Sequence, residues 1–253
     1  MNKKFNYFLL LAALLFTFGQ SLGQGFRVKM MSGEREDGGF AYNFFIGDDA
    51  EDFATSINGF GSGFLLDVLT GRQSWDIVDI GTKHVNLSLG AGVAINKYRF
   101  QNNLILDKAD EDAPVTWMVD PDDTHDYQNT FFGYGKSKLV TASFYFPAYL
   151  NFNFGGFKLS AGPFAELYVY GKHIRKYKIG DDEIKKLIKP SEFKDFNLNK
   201  TKYGVSAAIT HKKTGIGISG TYYLTPFFEE NMGPDLQEVR VSLTFNPEKM
   251  LSH

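Results

Sequence analysis

Residues 138–154 read KLVTASFYFPAYLNFNF. The even positions Val140, Ala142, Phe144, Phe146, Ala148, Leu150, Phe152 and Phe154 are all apolar, while Thr141, Ser143, Tyr145, Tyr149, Asn151 and Asn153 interleave on the odd ones with Pro147. Successive side chains leave a strand on opposite sides, so this period of two predicts one strand with an oily face and a polar face. It is longer than the roughly 9 to 11 residues that a tilted strand needs to cross a bilayer.

Working outward, the same alternation recurs over 85–95, 157–169, 203–209, 216–224 and 238–245. Gly155-Gly156 predicts a two-residue hairpin, which pairs Phe154 with Phe157 and sets Ala148 opposite Pro163. Proline gives no ladder hydrogen bond, so Pro147 and Pro163 predict a gap or bulge at one level of the sheet. His211–Thr214 predicts a second tight turn, whereas 101–136, 171–200 and 226–237 read as long loops. Short and long connections therefore alternate, which puts the C-terminus on the short-turn side. In the N-terminal third, Phe40–Ile46 and Phe60–Leu69 are the candidates for the first two strands. The expected fold is all-β, an antiparallel up-and-down barrel of eight strands, with ten as the alternative.

Period-two alternation fits both a soluble barrel and a transmembrane one. The polar face separates them. A water-facing side carries Lys, Glu and Arg, whereas a narrow lumen favours small or uncharged groups. Here that face is mostly Gly, Ser, Thr, Ala, Asn and Tyr, and the charges gather in the connections. A transmembrane barrel is the expectation.

Composition agrees. The 253 residues include 25 Phe, 13 Tyr and 26 Gly, a mixture suited to strands and tight turns. A net charge of -2 gives no ground for a nucleic-acid partner. Cysteine is absent, which excludes disulfides, thiolate metal sites, cysteine nucleophiles and a lipoprotein anchor. Lys3 and Lys4 precede an apolar run from Tyr7 to Phe18, followed by small and polar residues through Gly23. This layout predicts a signal peptide over 1–23, a mature chain of 24–253 beginning at Gln24, and export to the outer membrane with the C-terminus periplasmic.

The phrases KSKLVTASFYFPAYLNFNF, FKLSAGPFAELYVYGK, KYGVSAAITHKKTGIGISGTYYLTPFF and VRVSLTF resemble the outer-membrane β-barrel families of Bacteroidetes, the group that includes PorT-type barrels. The resemblance spans roughly 83 to 245, and the expected barrel domain, 24–253, is clearest over 83–246. It implies an outer-membrane location, contact with membrane lipid and lipopolysaccharide, and folding by the barrel-assembly machinery. It transfers no catalytic residue. The tail 246–253 beyond the last aromatic departs from a strictly C-terminal assembly signal.

Four charged residues fall on the polar face of the strands: Lys158, Glu166, Glu238 and Arg240. Together they would form an ion-pair network that plugs a small barrel; the plainer alternative sets Glu238 and Arg240 at the short-turn mouth, in water. The connection 101–136 carries Asp107, Asp110, Glu111, Asp112, Asp120, Asp122, Asp123 and Asp126, and 171–200 carries Lys172, Arg175, Lys176, Lys178, Lys185, Lys186 and Lys189. Acids could gather Ca²⁺ or Mg²⁺ and bases could grip lipopolysaccharide phosphates, but no EF-hand spacing is present and solvated loops are the expectation. The histidines His84, His125, His173, His211 and His253 lack metal spacing, and only His173 sits near a rim where a lipid hydrolase would need it. No cofactor or metal is called for. The reading is a non-enzymatic barrel whose surface loops bind or hold a partner, with a small-solute porin or an accessory barrel of a protein-secretion system as alternatives.

Overall fold

The computed structural model describes residues 27–30, 35–36, 39–47, 71–100, 104–109, 113–119, 137–179, 182–188 and 194–245. The signal-peptide segment, the strand expected at Phe60–Leu69 and the tail 246–253 lie outside them.

The described chain is all-β apart from one 3₁₀ turn, Lys194–Asn197. Its strands are β1 (Arg27–Met30), β2 (Arg35–Glu36), β3 (Gly39–Ile46), β4 (Gly71–Gly81), β5 (Val85–Phe100), β6 (Leu104–Asp107), β7 (Thr116–Val119), β8 (Ser137–Phe154), β9 (Phe157–Ile179), β10 (Asp182–Ile188), β11 (Thr201–His211), β12 (Ile216–Pro226) and β13 (Gln237–Phe245). Eight form one antiparallel sheet in the order β4-β5-β8-β9-β11-β12-β13-β3. β1 and β2 pair with the outer edge of β4, β10 pairs with β9, and β6 with β7 makes a separate ribbon.

The hairpins form where the turn residues demand them. Phe154 pairs with Phe157 across Gly155-Gly156, and Gly155 takes a φ of 51°, a left-handed value that suits glycine. At the second turn, the Gly215 amide donates to the His211 carbonyl at 2.8 Å with φ 69° at Gly215. A third short turn, after β4, is closed by Thr82: its amide donates to the Val85 carbonyl at 2.7 Å while its hydroxyl accepts the Val85 amide at 3.1 Å.

The prolines act as their chemistry requires. The β8–β9 ladder stops between Pro147↔Phe164 and Leu150↔Ala161, and the β5–β8 ladder stops between Leu89↔Ala148 and Gly92↔Tyr145. The strands crowd at this level, because a Cβ on Gly162 would stand 2.0 Å from the Ala148 carbonyl oxygen. Only glycine fits there.

Two expectations need correction. Residues 101–136 and 171–200 are not simply loops: the first contains the β6–β7 ribbon, while in the second β9 runs on to Ile179 and returns as β10. Past Gly171 neither parity of β9 is apolar, since Lys172, Arg175, Lys176 and Lys178 occupy both, so alternation gives no sign that the ladder continues. The second strand of the sheet is β4, at 71–81. Its alternation Ser74, Trp75, Asp76, Ile77 is followed by a register shift between Asp76 and Val78, which inverts the phase midway and hides the strand from a period-two reading.

The two faces of the sheet differ in burial, one exposing large apolar side chains and the other burying polar ones. Phe144, Phe152, Leu159, Leu167, Val205, Ile218, Val241 and Leu243 are exposed, while Ser88, Asn96, Thr141, Asn151, Ser160, Glu166, Ser206, Thr221, Glu238 and Arg240 are buried. Within β11, residues 201–207 alternate strictly exposed and buried, and the buried set is Lys202, Gly204 and Ser206.

Candidate functional site

The buried face of the sheet holds two contrasting levels. Near the short turns it is lined by small polar groups linked to one another: Ser160 Oγ donates to Asn151 Oδ1 at 2.6 Å, Asn151 Nδ2 donates to Ser88 Oγ at 2.9 Å, and the Ser206 and Thr221 hydroxyls lie 3.2 Å apart. Such groups keep the ladder tightly packed and satisfied without charge.

Toward the long connections the buried face becomes aromatic and charged. Tyr145, Phe164, Tyr223 and Ala94 pack together, with Phe164 edge-on to Tyr223. Beside them Lys202 lies in a ring of partners. Its Nζ is 3.5 Å from Glu238 Oε2 and sits over the rings of Phe227 at 4.1 Å, Tyr223 at 5.5 Å and Tyr98 at 5.8 Å. Tyr98 donates to the same Glu238 oxygen at 2.9 Å, and Tyr223 donates to Glu166 Oε1 at 3.0 Å. By register Glu166 is the direct cross-strand partner of Lys202. Both glutamates are 1% exposed. The ammonium thus has one carboxylate in ion-pair range and three ring faces around it, the kind of compensation that a charge removed from water requires.

Glu166 and Glu238 therefore come together, through Lys202 and Tyr223. Arg240 is buried lower on β13, where it donates from Nη1 to Asn96 Oδ1 and from Nε to Ser242 Oγ. Lys158 is placed apart. It pairs with Asn153 and Thr210 beside the Gly155-Gly156 turn, half-buried, eight residues or roughly 26 Å of strand from Glu166. Glu238 and Arg240 are not at the short-turn mouth: Gln237 pairs with Pro226 at the start of the 227–236 connection, so β13 enters the sheet from that end with Glu238 next in line.

Lys202, Tyr98 and Asn96 are absent from the sequence reading for one reason. The strand expected at 203–209 begins two residues late, since β11 starts at Thr201, and the strand expected at 85–95 stops five residues early, since β5 runs to Phe100. Continuing the parity of Ser206 and Gly204 back one step places Lys202 on the buried face, and continuing that of Ala94 places Asn96 and Tyr98 there too.

Above the cluster, three connections fold together into a cap. Leu106 of β6, Val115, Phe196 and Leu198 around the 3₁₀ turn, and Phe227, Phe228 and Leu236 form one apolar core with Phe45 of β3, Tyr98 of β5 and Leu139 of β8. Asn197 joins the three connections: its Nδ2 donates to the Ala113 carbonyl at 2.9 Å and to the Met232 carbonyl at 3.0 Å, and its Oδ1 accepts Lys108 Nζ at 2.7 Å. Val115 donates to the Met232 carbonyl at 2.9 Å, and Leu198 bridges Phe228. His173, fully buried, stands edge-on to Phe196 with centroids 5.9 Å apart. Among the described residues no group of acids and histidines has the spacing to hold a metal ion. Of the acidic residues in 101–136, Asp107 ends β6 and accepts Thr116 Oγ1 on its carbonyl at 3.5 Å, while the others lie outside the described residues.

No protein-family model, curated protein or solved structure matches the chain.

Proposed function

We propose that the chain is a non-enzymatic integral outer-membrane β-barrel, in which the sheet closes on itself and its long connections form the surface that meets a partner. Closure is supported by the pairings of 27–46. β1 and β2 pair with β4 at one edge of the sheet, β3 pairs with β13 at the other, and the three are successive pieces of one stretch. A first strand shared between both edges leaves no open ladder. The cap core, which draws on β3, β5 and β8 at once, fits inside such a ring.

The membrane setting rests on one observation: large apolar side chains are exposed on one face while serine, asparagine, glutamate and arginine are buried on the other. In water this distribution would leave a broad apolar surface uncovered, whereas lipid covers it at no such cost. Eight strands close around an interior narrow enough for side chains to fill, and the buried face carries Tyr145, Tyr149, Phe164 and Tyr223, which favours a packed barrel over an open porin. A signal peptide at 1–23, the resemblance to PorT-type Bacteroidetes barrels, contacts with lipopolysaccharide and a role as an accessory barrel in protein secretion belong to the same proposal.

Residues 24–253, refolded, should require detergent or lipid to stay in solution and should migrate faster on a gel when unheated than when boiled. A monodisperse, detergent-free solution of the same chain would overturn the proposal.

A further inference from the structure

We infer that one side of the wall, directly above its apolar band, is a docking surface for the phosphate headgroups of an anionic lipid. The inference rests on the membrane-barrel reading above and narrows the lipopolysaccharide contact named there to a site. Its first support is a register that crosses four neighbouring strands. Ile95 of β5 and Tyr170 of β9 are exposed, while Asn96, Thr141, Leu139 and His173 are buried, which fixes the outer parity of β5, β8 and β9 at the end of the long connections. One row further out on that parity, Val140 lies between Lys97 and Lys172. In the next row Arg99 is opposite Lys138, and beyond the end of β8 the β9–β10 ribbon continues the same face with Lys176 opposite Lys185. These cations span β5, β8, β9 and β10, a width of roughly 15 Å at the usual strand spacing. Arg99 with Lys138 and Lys176 with Lys185 are like charges directly opposite, an arrangement that costs stability until an anion lies against it.

The second support is what lies directly beneath. The next rows of the same face are Ile95, Ala142 and Tyr170, then Val93, Phe144 and Leu167, and all of these except Ala142 are large and exposed. A ligand that matches both levels is amphiphilic: its phosphates meet the lysines and arginine, and its chains lie along Phe144 and Leu167. The third support is sidedness. Where β11, β12, β13 and β3 reach the long connections, their outer face carries Thr201, Leu224, Gln237 and Ile46, all uncharged. Long connections are external in a membrane barrel, so the lipid is one of the outer leaflet.

The mature chain 24–253 in dodecyl maltoside, titrated with bisphosphorylated lipid A and followed by native mass spectrometry, tests this. The parent should bind it at least about tenfold more tightly than lipid A stripped of both phosphates, and inorganic phosphate should not displace it. Lys176→Gln/Lys185→Gln and Arg99→Gln/Lys138→Gln should each weaken binding of the phosphorylated lipid by roughly tenfold and leave the phosphate-free lipid unchanged. Lys212→Gln/Lys213→Gln, beside the tight turn at the far end of the wall, is the control and should change neither.

Equal affinity for the two lipids, or an equal loss in the control, would overturn the site in a protein that keeps its heat-dependent gel shift, and would leave the barrel standing. Displacement by inorganic phosphate would make this a site for free anions and overturn the lipid. Binding that appears only after Asp120→Asn/Asp122→Asn/Asp123→Asn would assign the patch to the chain's own acids and overturn it as well. Loss of the gel shift in the parent would overturn the barrel and the site together.

Discussion

The cap and the wall of this protein obey opposite burial rules. In the cap, Phe196, Leu198, Phe228 and Leu236 are enclosed, and Lys200 and Glu229 form an ion pair at the surface, 3.6 Å apart. In the wall the order is reversed, with Val205 exposed and Ser206 beside it buried. One polypeptide carries both patterns, so composition alone cannot be their cause. The difference teaches that each region is written for its own surroundings: the cap for water, and the wall, on the proposed reading, for hydrocarbon outside and a polar interior within.

Substitutions can break that contrast at either end. The largest effect is expected in the cap, where Phe227→Ala removes a ring packed against Phe45, Tyr98 and Phe228. A cost of about 3 to 5 kcal/mol is expected, the usual range for a buried aromatic. Read by hydrogen exchange, it should fall on the cap amides and spare β8 and β9; loss spread evenly over the wall would show that the two regions are one cooperative unit. Next comes Val205→Arg. It is 47% exposed, so in water the change would cost under about 0.5 kcal/mol, whereas facing mid-bilayer it costs about 2 to 4 kcal/mol. Urea unfolding in lipid vesicles distinguishes the two.

The smallest effects sharpen the contrast within the wall. A Cβ on Gly204 would stand 2.2 Å from the Tyr222 carbonyl oxygen and 2.8 Å from Phe164 Cζ, whereas one on Gly220 meets nothing within 4 Å. Gly204→Ala should therefore destabilise by about 1 to 3 kcal/mol through overpacking, with Gly220→Ala within about 0.5 kcal/mol of the parent. Equal effects, measured by the same unfolding assay, would mean that the two faces are packed alike.

Much of the wall can be read from the sequence, since its period of two is enforced by a sheet that must differ on its two sides. Lys138–Phe154 reads correctly almost to the residue, and the Gly155-Gly156 turn sets the register of β8 against β9 as far as Ser143, beyond which it shifts by one. Legibility fails where alternation is interrupted or carries no contrast. The register shift after Asp76 inverts β4, and the run from Gly171 to Ile179 is charged on both parities. The charged cluster is half legible: Glu166 and Glu238 lie inside strands that are easily recognised, while Lys202 and Tyr98 lie just past ends that the pattern draws too short. The cap cannot be read at all. Its core joins Leu106, Phe196 and Phe228 across three separate connections, and no local periodicity encodes contacts so distant in the chain.

The pairing of β3 with β13 brings Ile46 against Gln237, about 190 residues further along, the longest-range seam in the sheet. Every other neighbour in the eight-strand order follows its partner along the chain and can zip from a local turn or loop. This seam cannot begin until β13 is in place, so its formation should be slow and come after the local pairings, and until then β3 waits with an unsatisfied edge on that side.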